Sequence, residues 1–137
     1  MIQQIFITIG ILLYAFGVPV LELNDTHVWN PNWPPHARIH EVWQLTTNTA
    51  IGVLSLWMLW VRRTVWLPAL LSGFVMGGFM FAYFCRETYG GSMQYLDGSE
   101  KLVFGVNIGV VGFGTALLLL ACAVLAQFIS PLLNPNR

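Results

Sequence analysis

The sequence predicts an all-α integral membrane protein, an antiparallel four-helix bundle, from its composition and from the spacing of its apolar blocks. Of its 137 residues, 56% are hydrophobic and only 9% are charged. The mean hydropathy of +0.67 is far above that of a soluble globular chain. A helix needs about 20 apolar residues to cross a bilayer, and four blocks free of Lys, Arg, Asp and Glu are long enough. The predicted spans, within a single membrane domain, are residues 2–21, 43–61, 65–84 and 102–129.

The first block is predicted to be a retained span rather than a signal peptide. The opening MIQQ contains no basic residue, and no small-x-small cleavage site follows the apolar stretch. Pro19 offers no N–H to the turn before it, so it should end or kink this helix near its C-terminal end.

A long connection, residues 22–42, leads to the second helix. Pro34 or Pro35 suits the first turn of that helix, where a missing N–H costs nothing. Tryptophans in and beside this connection have the amphipathic character of residues at headgroup depth, and stacking on a substrate is the alternative. They are Trp29, Trp33 and Trp43.

The second and third spans are joined by little more than Arg62–Arg63–Thr64, which forces an antiparallel hairpin. The two long connections, residues 22–42 and 85–101, then emerge together on the opposite side. Basic residues favour the cytoplasmic side, so Arg62 and Arg63 predict cytoplasmic N and C termini. The long loops would face the periplasm of a bacterial inner-membrane protein.

The third and fourth spans carry regularly spaced glycines. Gly73 and Gly77 form a G-x-x-x-G, and Gly105, Gly109 and Gly112 fall at i, i+4 and i+7. Such faces let helix backbones approach closely within lipid. We expect them to pack inside the bundle, between protomers or against a membrane partner.

The net charge argues against nucleic-acid binding, and the positions of the two cysteines argue against a disulfide. The formal net charge of +0 excludes the large basic surface that nucleic-acid binding requires. Cys85 and Cys122 should lie near opposite ends of antiparallel helices, too far apart for a disulfide.

Residues 22–44 concentrate the polar side chains, with all three histidines and three of the six acidic residues. His36 and His40 are four residues apart and share one helix face. They could bind one metal ion, with His27 and Asp25 as further ligands, and such a set suits Zn, Cu, Fe or Ni. Interfacial hydrogen bonding and acid–base catalysis remain the alternatives.

The stretch His40-Glu41-Val42-Trp43-Gln44 begins like the H-E-x-x-H sequence of zinc proteases, but Gln44 replaces the second histidine. A zinc protease site is therefore not supported.

A polar stripe continues down the second helix. At 100° per residue, its members lie within about 60° of one another: Glu41, Gln44, Asn48 and Ser55. Polar groups at membrane depth usually face the bundle interior or a wet cavity. Asn107 in the fourth span should lie at a similar depth to Asn48. The two amides are predicted either to form an interhelical hydrogen bond or to bind a ligand.

The second long connection contributes three further candidates. Arg86 could pair with Glu41, Asp25 or Glu87, or bind lipid phosphate, and its guanidinium suits an anionic or carbonyl-bearing ligand. Asp97 and Ser99 are predicted to cap the fourth helix.

The strings N24-D25-T26-H27 and W33-P34-P35-H36-A37-R38-I39-H40-E41-V42-W43-Q44 together resemble the signature of a family of small bacterial four-helix membrane proteins of unknown function. The overall plan is similar to DoxX-like proteins and, more loosely, to emopamil-binding sterol isomerases, which move protons on a lipid with acidic residues and histidine. The resemblance implies that the distinctive residues are Asp25, His27, His36, Arg38, His40, Glu41 and Gln44.

The function expected first is binding of a quinone, an isoprenoid or a sterol-like molecule, with proton transfer as its chemistry. His36, His40 and Glu41 would hold or move the proton. The expected ligand-binding residues are Asp25, His27, Arg38, Gln44, Asn48, Arg86 and Asn107. The alternatives are an accessory subunit that docks through its glycine faces, and a metal-binding protein using His27, His36, His40 and Asp25.

Overall fold

The computed structural model describes residues 1–133 and is predominantly helical. A 3₁₀ turn, Arg86–Tyr89, and a two-stranded antiparallel hairpin separate the last two long helices. The helices are α1 (Ile2–Leu12), α2 (Val18–Glu22), α3 (Pro35–Trp60), α4 (Trp66–Cys85) and α5 (Ile108–Leu133), and a π-helical segment (Leu13–Gly17) joins α1 to α2. The hairpin strands are β1 (Leu102–Val103) and β2 (Val106–Asn107).

Three helices are long and apolar enough to cross a membrane, which indicates a membrane protein: Ile2–Glu22, Trp66–Tyr89 and Ile108–Gln127. The helix α3, where residues 43–61 were predicted as a span, is not among them. Its first half carries Arg38, Glu41 and a run of amides and hydroxyls, which lowers its hydropathy. Pro35 occupies the first turn of α3, as predicted.

Pro19 does not end the first helix, which continues to Glu22. The chain instead widens into the π-helical segment just before the proline, where the Val18 amide donates to the Leu13 carbonyl. Insertions of this kind are an established way to bend a helix. In a regular α-helix residue 19 would donate to the Ala15 carbonyl, and proline cannot. The Thr49 hydroxyl donates to that carbonyl at 2.8 Å.

The core lies between the four helical units. The α1 helix packs mainly against α5, α4 packs against α3 and α5, and α3 also contacts the π-helical segment. The side chains at the centre are almost fully buried, and they include Ile7, Ile11, Leu59, Met76 and Phe113. Tyr14 and Ser72 add a buried polar contact of 3.4 Å between their hydroxyl oxygens.

Gly52 allows α3 to approach the π-helical segment closely. A Cβ at this position would overlap the Ala15 Cβ and would lie 3.3 Å from Tyr14 Cε2. No ordinary side chain fits there without movement of one helix, so this glycine sets the distance between α3 and the first helix.

The fourth span begins later than predicted, because residues 102–107 form the hairpin. Phe104 and Gly105 make its turn with φ values of 51° and 79°. Two successive positive φ values are typical of a two-residue hairpin turn. Asp97 and Ser99 were predicted as caps for this helix, and that prediction is wrong. Ser99 donates to Asp97 Oδ1 within its own loop at 2.9 Å from the backbone and 2.6 Å from the hydroxyl.

Only some of the glycines predicted to form packing faces lie against a neighbouring helix in the structure. Gly105 belongs to the hairpin turn and not to a helix. The space beside Gly109 is taken by Phe79, and that beside Gly112 by Leu13, so both glycines pack within the protein. Gly73 and Gly77 are more open. A Cβ on Gly73 would meet only Leu120, at 3.6 Å, and a Cβ on Gly77 would meet nothing within 4 Å.

Candidate functional site

The loop that follows α2 holds the first candidate side chains in place. The Asn24 amide donates to the Leu21 carbonyl at 2.6 Å, and its Oδ1 accepts the Thr26 backbone N–H at 2.8 Å. The Val28 backbone N–H donates to the Glu22 carbonyl at 3.2 Å, and the Val28 side chain is buried. This short loop is therefore tied to the end of the helix by its own polar side chains.

The hydrogen bonds of this loop define the protonation of one ring nitrogen of His27. The Thr26 hydroxyl lies 2.6 Å from Asn24 Oδ1 and 2.8 Å from His27 Nδ1. Asn24 Oδ1 carries no hydrogen, so the single hydroxyl proton of Thr26 must point to it. His27 Nδ1 must then donate to the Thr26 oxygen. The ring nitrogen that remains, Nε2, faces the other way.

His27 Nε2 lies 2.8 Å from Glu22 Oε2. A bond this short requires one proton between the two atoms, either on the carboxyl group or on the ring. In both forms the pair has no net charge. Burial and the positive charge of Lys101 lower the pKa of His27, which favours the form with a neutral ring and the shared proton on Glu22. The two side chains are only 21% and 24% exposed.

Aromatic side chains surround this pair. Trp33 and Tyr95 both meet the His27 ring edge to face, with centroid distances of 5.3 and 5.6 Å. The Lys101 ammonium lies 5.6 Å from the centroid of the Tyr95 ring. Edge-to-face contacts fix the plane of an imidazole as well as its position. The His27 ring is thus held by two aromatic rings and by hydrogen bonds at both nitrogens.

Glu41 completes the group from α3. Its carboxyl is half-buried, and desolvation raises its pKa. It also lies near enough to Glu22 to act on it electrostatically. We call the group the loop-end cluster, comprising Glu22, His27, Trp33, Glu41, Tyr95 and Lys101.

The other two histidines lie elsewhere. His36 and His40 are exposed on α3, with their Nε2 atoms 3.0 Å apart. His40 also stacks on Trp43, with the ring centroids 6.0 Å apart. Helix phase explains the separation: Glu41 lies about 100° around the axis from His40 and turns inward. The structure therefore brings Glu41, but not the His36–His40 pair, to the loop-end cluster.

The other predicted ligand-binding residues of the first long connection and α3 also divide into exposed and inward-facing side chains. Gln44 and Asp25 are exposed, whereas Asn48 is half-buried on the inner face of α3, as Glu41 is. Arg38 Nη2 donates to the Trp33 carbonyl at 3.2 Å, and its Nε is buried without a partner among the described residues. Arg38 therefore braces a residue of the loop-end cluster.

Arg86 and Asn107 make local contacts. Arg86 donates to the Tyr83 carbonyl at 2.8 Å, and its guanidinium lies 4.3 Å from the Tyr83 ring centroid. Of its predicted acidic partners it approaches Glu87, at 4.0 Å. Asn107 donates to Glu100 at 3.0 Å and accepts the Gly109 backbone N–H at 2.8 Å. It caps α5 from a buried position and does not pair with Asn48.

The predicted metal ligands are not assembled into one site. Within residues 1–133, no group of three His, Cys, Asp or Glu side chains is placed to hold a metal ion. His36 and His40 form one pair, whereas His27 is committed to Glu22 and Thr26. Both cysteines are free.

Sequence reasoning did not select Glu22, Tyr95 or Lys101. A signal for Glu22 was present, because this carboxylate directly follows a charge-free apolar run of about 20 residues. Ionisable groups at the edge of a membrane span are often functional. Tyr95 and Lys101 lie in a loop far along the chain, and only the fold brings them to His27. Comparison with family models, with curated proteins and with solved structures finds no match for this chain.

Proposed function

We propose that this protein binds a lipid-soluble molecule with a polar head, such as a quinone, an isoprenoid or a sterol-like compound, at the loop-end cluster. The observation that carries the proposal is the single proton shared by Glu22 and His27. A half-buried pair of this kind can give a proton to a carbonyl oxygen or take one from a hydroxyl. Trp33 and Tyr95 would contact the apolar part of the ligand next to its head.

Charge balance supports this assignment. If the pair gives its proton to the ligand, it keeps one negative charge, and Lys101 lies close enough to act electrostatically on both members. The neutral pair itself costs little to hold beside a membrane, whereas an isolated carboxylate would be expensive. Glu41 then provides a second carboxyl group for proton exchange at the same place.

We further propose that α3 acts as the fourth member of an antiparallel bundle that crosses the membrane. Its second half is apolar, and it packs against both α4 and the first helix. Arg62 and Arg63 would then mark the cytoplasmic side of a bacterial inner membrane. The loop-end cluster would face the periplasm, where a ligand could enter from the outer leaflet.

The test compares histidines that the structure separates. Protein is extracted in mild detergent without a histidine tag, and native mass spectrometry measures bound lipophilic molecules. His27→Gln should lower the affinity for the bound molecule by about fivefold or more, and its occupancy with it, because a lost buried hydrogen bond costs roughly 1–3 kcal/mol. The matched control, His36→Gln, removes an exposed imidazole and should leave occupancy unchanged.

Two results would overturn the proposal. Equal occupancy in the wild type and the His27→Gln variant would show that the ligand does not bind at the loop-end cluster. A stoichiometric protein partner, with no bound lipophilic molecule in any variant, would support the accessory-subunit alternative instead.

A further inference from the structure

A second feature lies at the opposite end of α4 from the loop-end cluster. It is an open apolar groove of about 350 Å³, formed by the first half of α4 and by one residue of α5. Its lining residues are Trp66, Ala69, Leu70, Gly73, Phe74 and Val124. Five of the six lie on one face of α4, at spacings of three and four residues. The glycine deepens the groove because it has no side chain to fill it.

The mouth of the groove adjoins an unbalanced positive charge. Arg62 and Arg63 form the turn that leads into α4, and both are exposed. All six acidic residues of the sequence lie elsewhere, within residues 22–41 and 87–100. Within residues 1–133 the ion pairs are His27–Glu22 and Arg86–Glu87, so no described carboxylate pairs with either guanidinium of the turn. Both guanidinium groups can therefore bind an anion.

Tryptophans mark this end as the membrane interface. Trp57, Trp60 and Trp66 are 48%, 39% and 59% exposed. The Arg62 guanidinium lies 5.6 Å from the centroid of the Trp57 ring. Exposed indoles beside an apolar helix are typical of headgroup depth. The arginines of the turn therefore lie where lipid phosphates lie.

The length of the groove matches one leaflet. From Trp66 to Phe74 the helix advances eight residues, or about 12 Å at 1.5 Å per residue. Half of the hydrocarbon core of a bilayer is about 15 Å. A groove that starts at headgroup depth and runs inward for this distance suits one acyl chain.

We propose that this groove is a binding site for an anionic phospholipid. Arg62 and Arg63 bind the phosphate and the anionic head, and one acyl chain lies along Gly73 between α4 and α5. The site is independent of the function proposed for the loop-end cluster. Charge distinguishes its occupant from general lipid: each basic residue at an anionic membrane surface changes affinity by about fivefold.

The test uses nanodiscs that contain phosphatidylglycerol and phosphatidylcholine in equal amounts. Native mass spectrometry of the released protein measures which lipid stays bound. The wild type should retain about one phosphatidylglycerol per chain. The double substitution Arg62→Gln and Arg63→Gln should lower the preference for phosphatidylglycerol by about 25-fold, from two arginines. The control Arg86→Gln, at the other end of α4, should retain it.

The acyl-chain part is tested by filling the groove. In Gly73→Leu the new Cβ meets only Leu120 Cδ2, at 3.6 Å, so the Cβ fits and the rest of the side chain is expected to fill the groove. It should reduce retention of both lipids. The control Gly114→Leu adds the same side chain where a Cβ meets nothing within 4 Å and outside the groove lining. It should retain the wild-type amount.

A measurement on intact protein covers the case in which a variant fails to fold. Brominated acyl chains quench nearby tryptophan fluorescence, and Trp66 lines the groove. Phosphatidylglycerol with brominated chains should quench wild-type fluorescence more than the same fraction of brominated phosphatidylcholine. Equal quenching, or equal retention of the two lipids by the wild type, would show an unselective lipid shell and overturn the proposal. Retention by Gly73→Leu equal to that by Gly114→Leu would overturn the groove assignment.

Discussion

The shared proton between Glu22 and His27 predicts a strong energetic coupling between these two residues. The perturbation is a double-mutant cycle of Glu22→Ala, His27→Ala and the double variant. A hydrogen bond to a charged or proton-sharing group contributes about 1.5–3 kcal/mol, and both side chains are only 21–24% exposed. Each single variant also strands the remaining partner. We therefore expect a coupling free energy of about 1–2 kcal/mol.

The assay is reversible unfolding by sodium dodecyl sulfate in mixed micelles, followed by circular dichroism. The matched control is the cycle of His36→Ala and His40→Ala, whose Nε2 atoms lie 3.0 Å apart but in an exposed pair. Exposed pairs contribute little, so this coupling should stay below about 0.5 kcal/mol. A Glu22–His27 coupling no larger than that of the control would refute the proton-sharing assignment.

Three further predictions concern packing, the hairpin and pH. Gly52→Ala should destabilise the protein by about 1–3 kcal/mol in the same assay, because its Cβ overlaps that of Ala15. Gly114→Ala, which meets no neighbour, should not; equal effects would contradict the close approach of α3. Phe104→Asn should raise the free energy of unfolding by about 1 kcal/mol, because asparagine tolerates the φ of 51° better than this fully exposed phenylalanine does. A lower free energy of unfolding would instead reveal a stabilising contact of the phenyl ring. Burial lowers the pKa of His27, so the stability it contributes is complete above the unfolded pKa of 6.5 and is lost as the pH falls below it. The raised pKa of Glu41 acts in the opposite sense, so the His27 contribution is read from the difference between two proteins. In thermal unfolding from pH 7.5 to 5, the wild type should lose stability relative to His27→Gln; parallel curves would contradict it.

The helices were largely predictable because their signal is local. Charge-free apolar blocks gave three confirmed membrane-crossing candidates, and a proline at the start of α3 was placed correctly. The beginning of α5 was not predictable in this way. Residues 102–107 are apolar enough for a span, but Phe104–Gly105 adopts a turn that pairs its flanking residues as strands. Hydropathy measures apolar content and does not report backbone geometry.

The candidate site was predicted in part, and helix phase explains the limit. The predicted polar stripe on α3 covered a wide arc, and the sequence could not say which edge of it faces inward. Contacts of Gly52 and Leu59 with neighbouring helices decide this, and they turn Glu41 inward. His36 and His40 remain on the exposed edge. His27 was selected correctly as part of the polar segment, but its partner Glu22 was assigned to the boundary of the loop.

The hydrogen bond from Thr49 to the Ala15 carbonyl makes the effect of a substitution at position 49 depend on the residue at position 19. A proline at position 19 leaves that carbonyl without its usual donor, and in lipid an unsatisfied carbonyl is costly. A hydroxyl at position 49 therefore lowers the cost of a proline at position 19. Once Pro19 is present, loss of Thr49 is harmful, whereas reversion of Pro19 to alanine makes Thr49 dispensable again. The two residues, 30 positions apart in the sequence, are therefore expected to be energetically coupled, so that loss of Thr49 is harmful only where Pro19 is present.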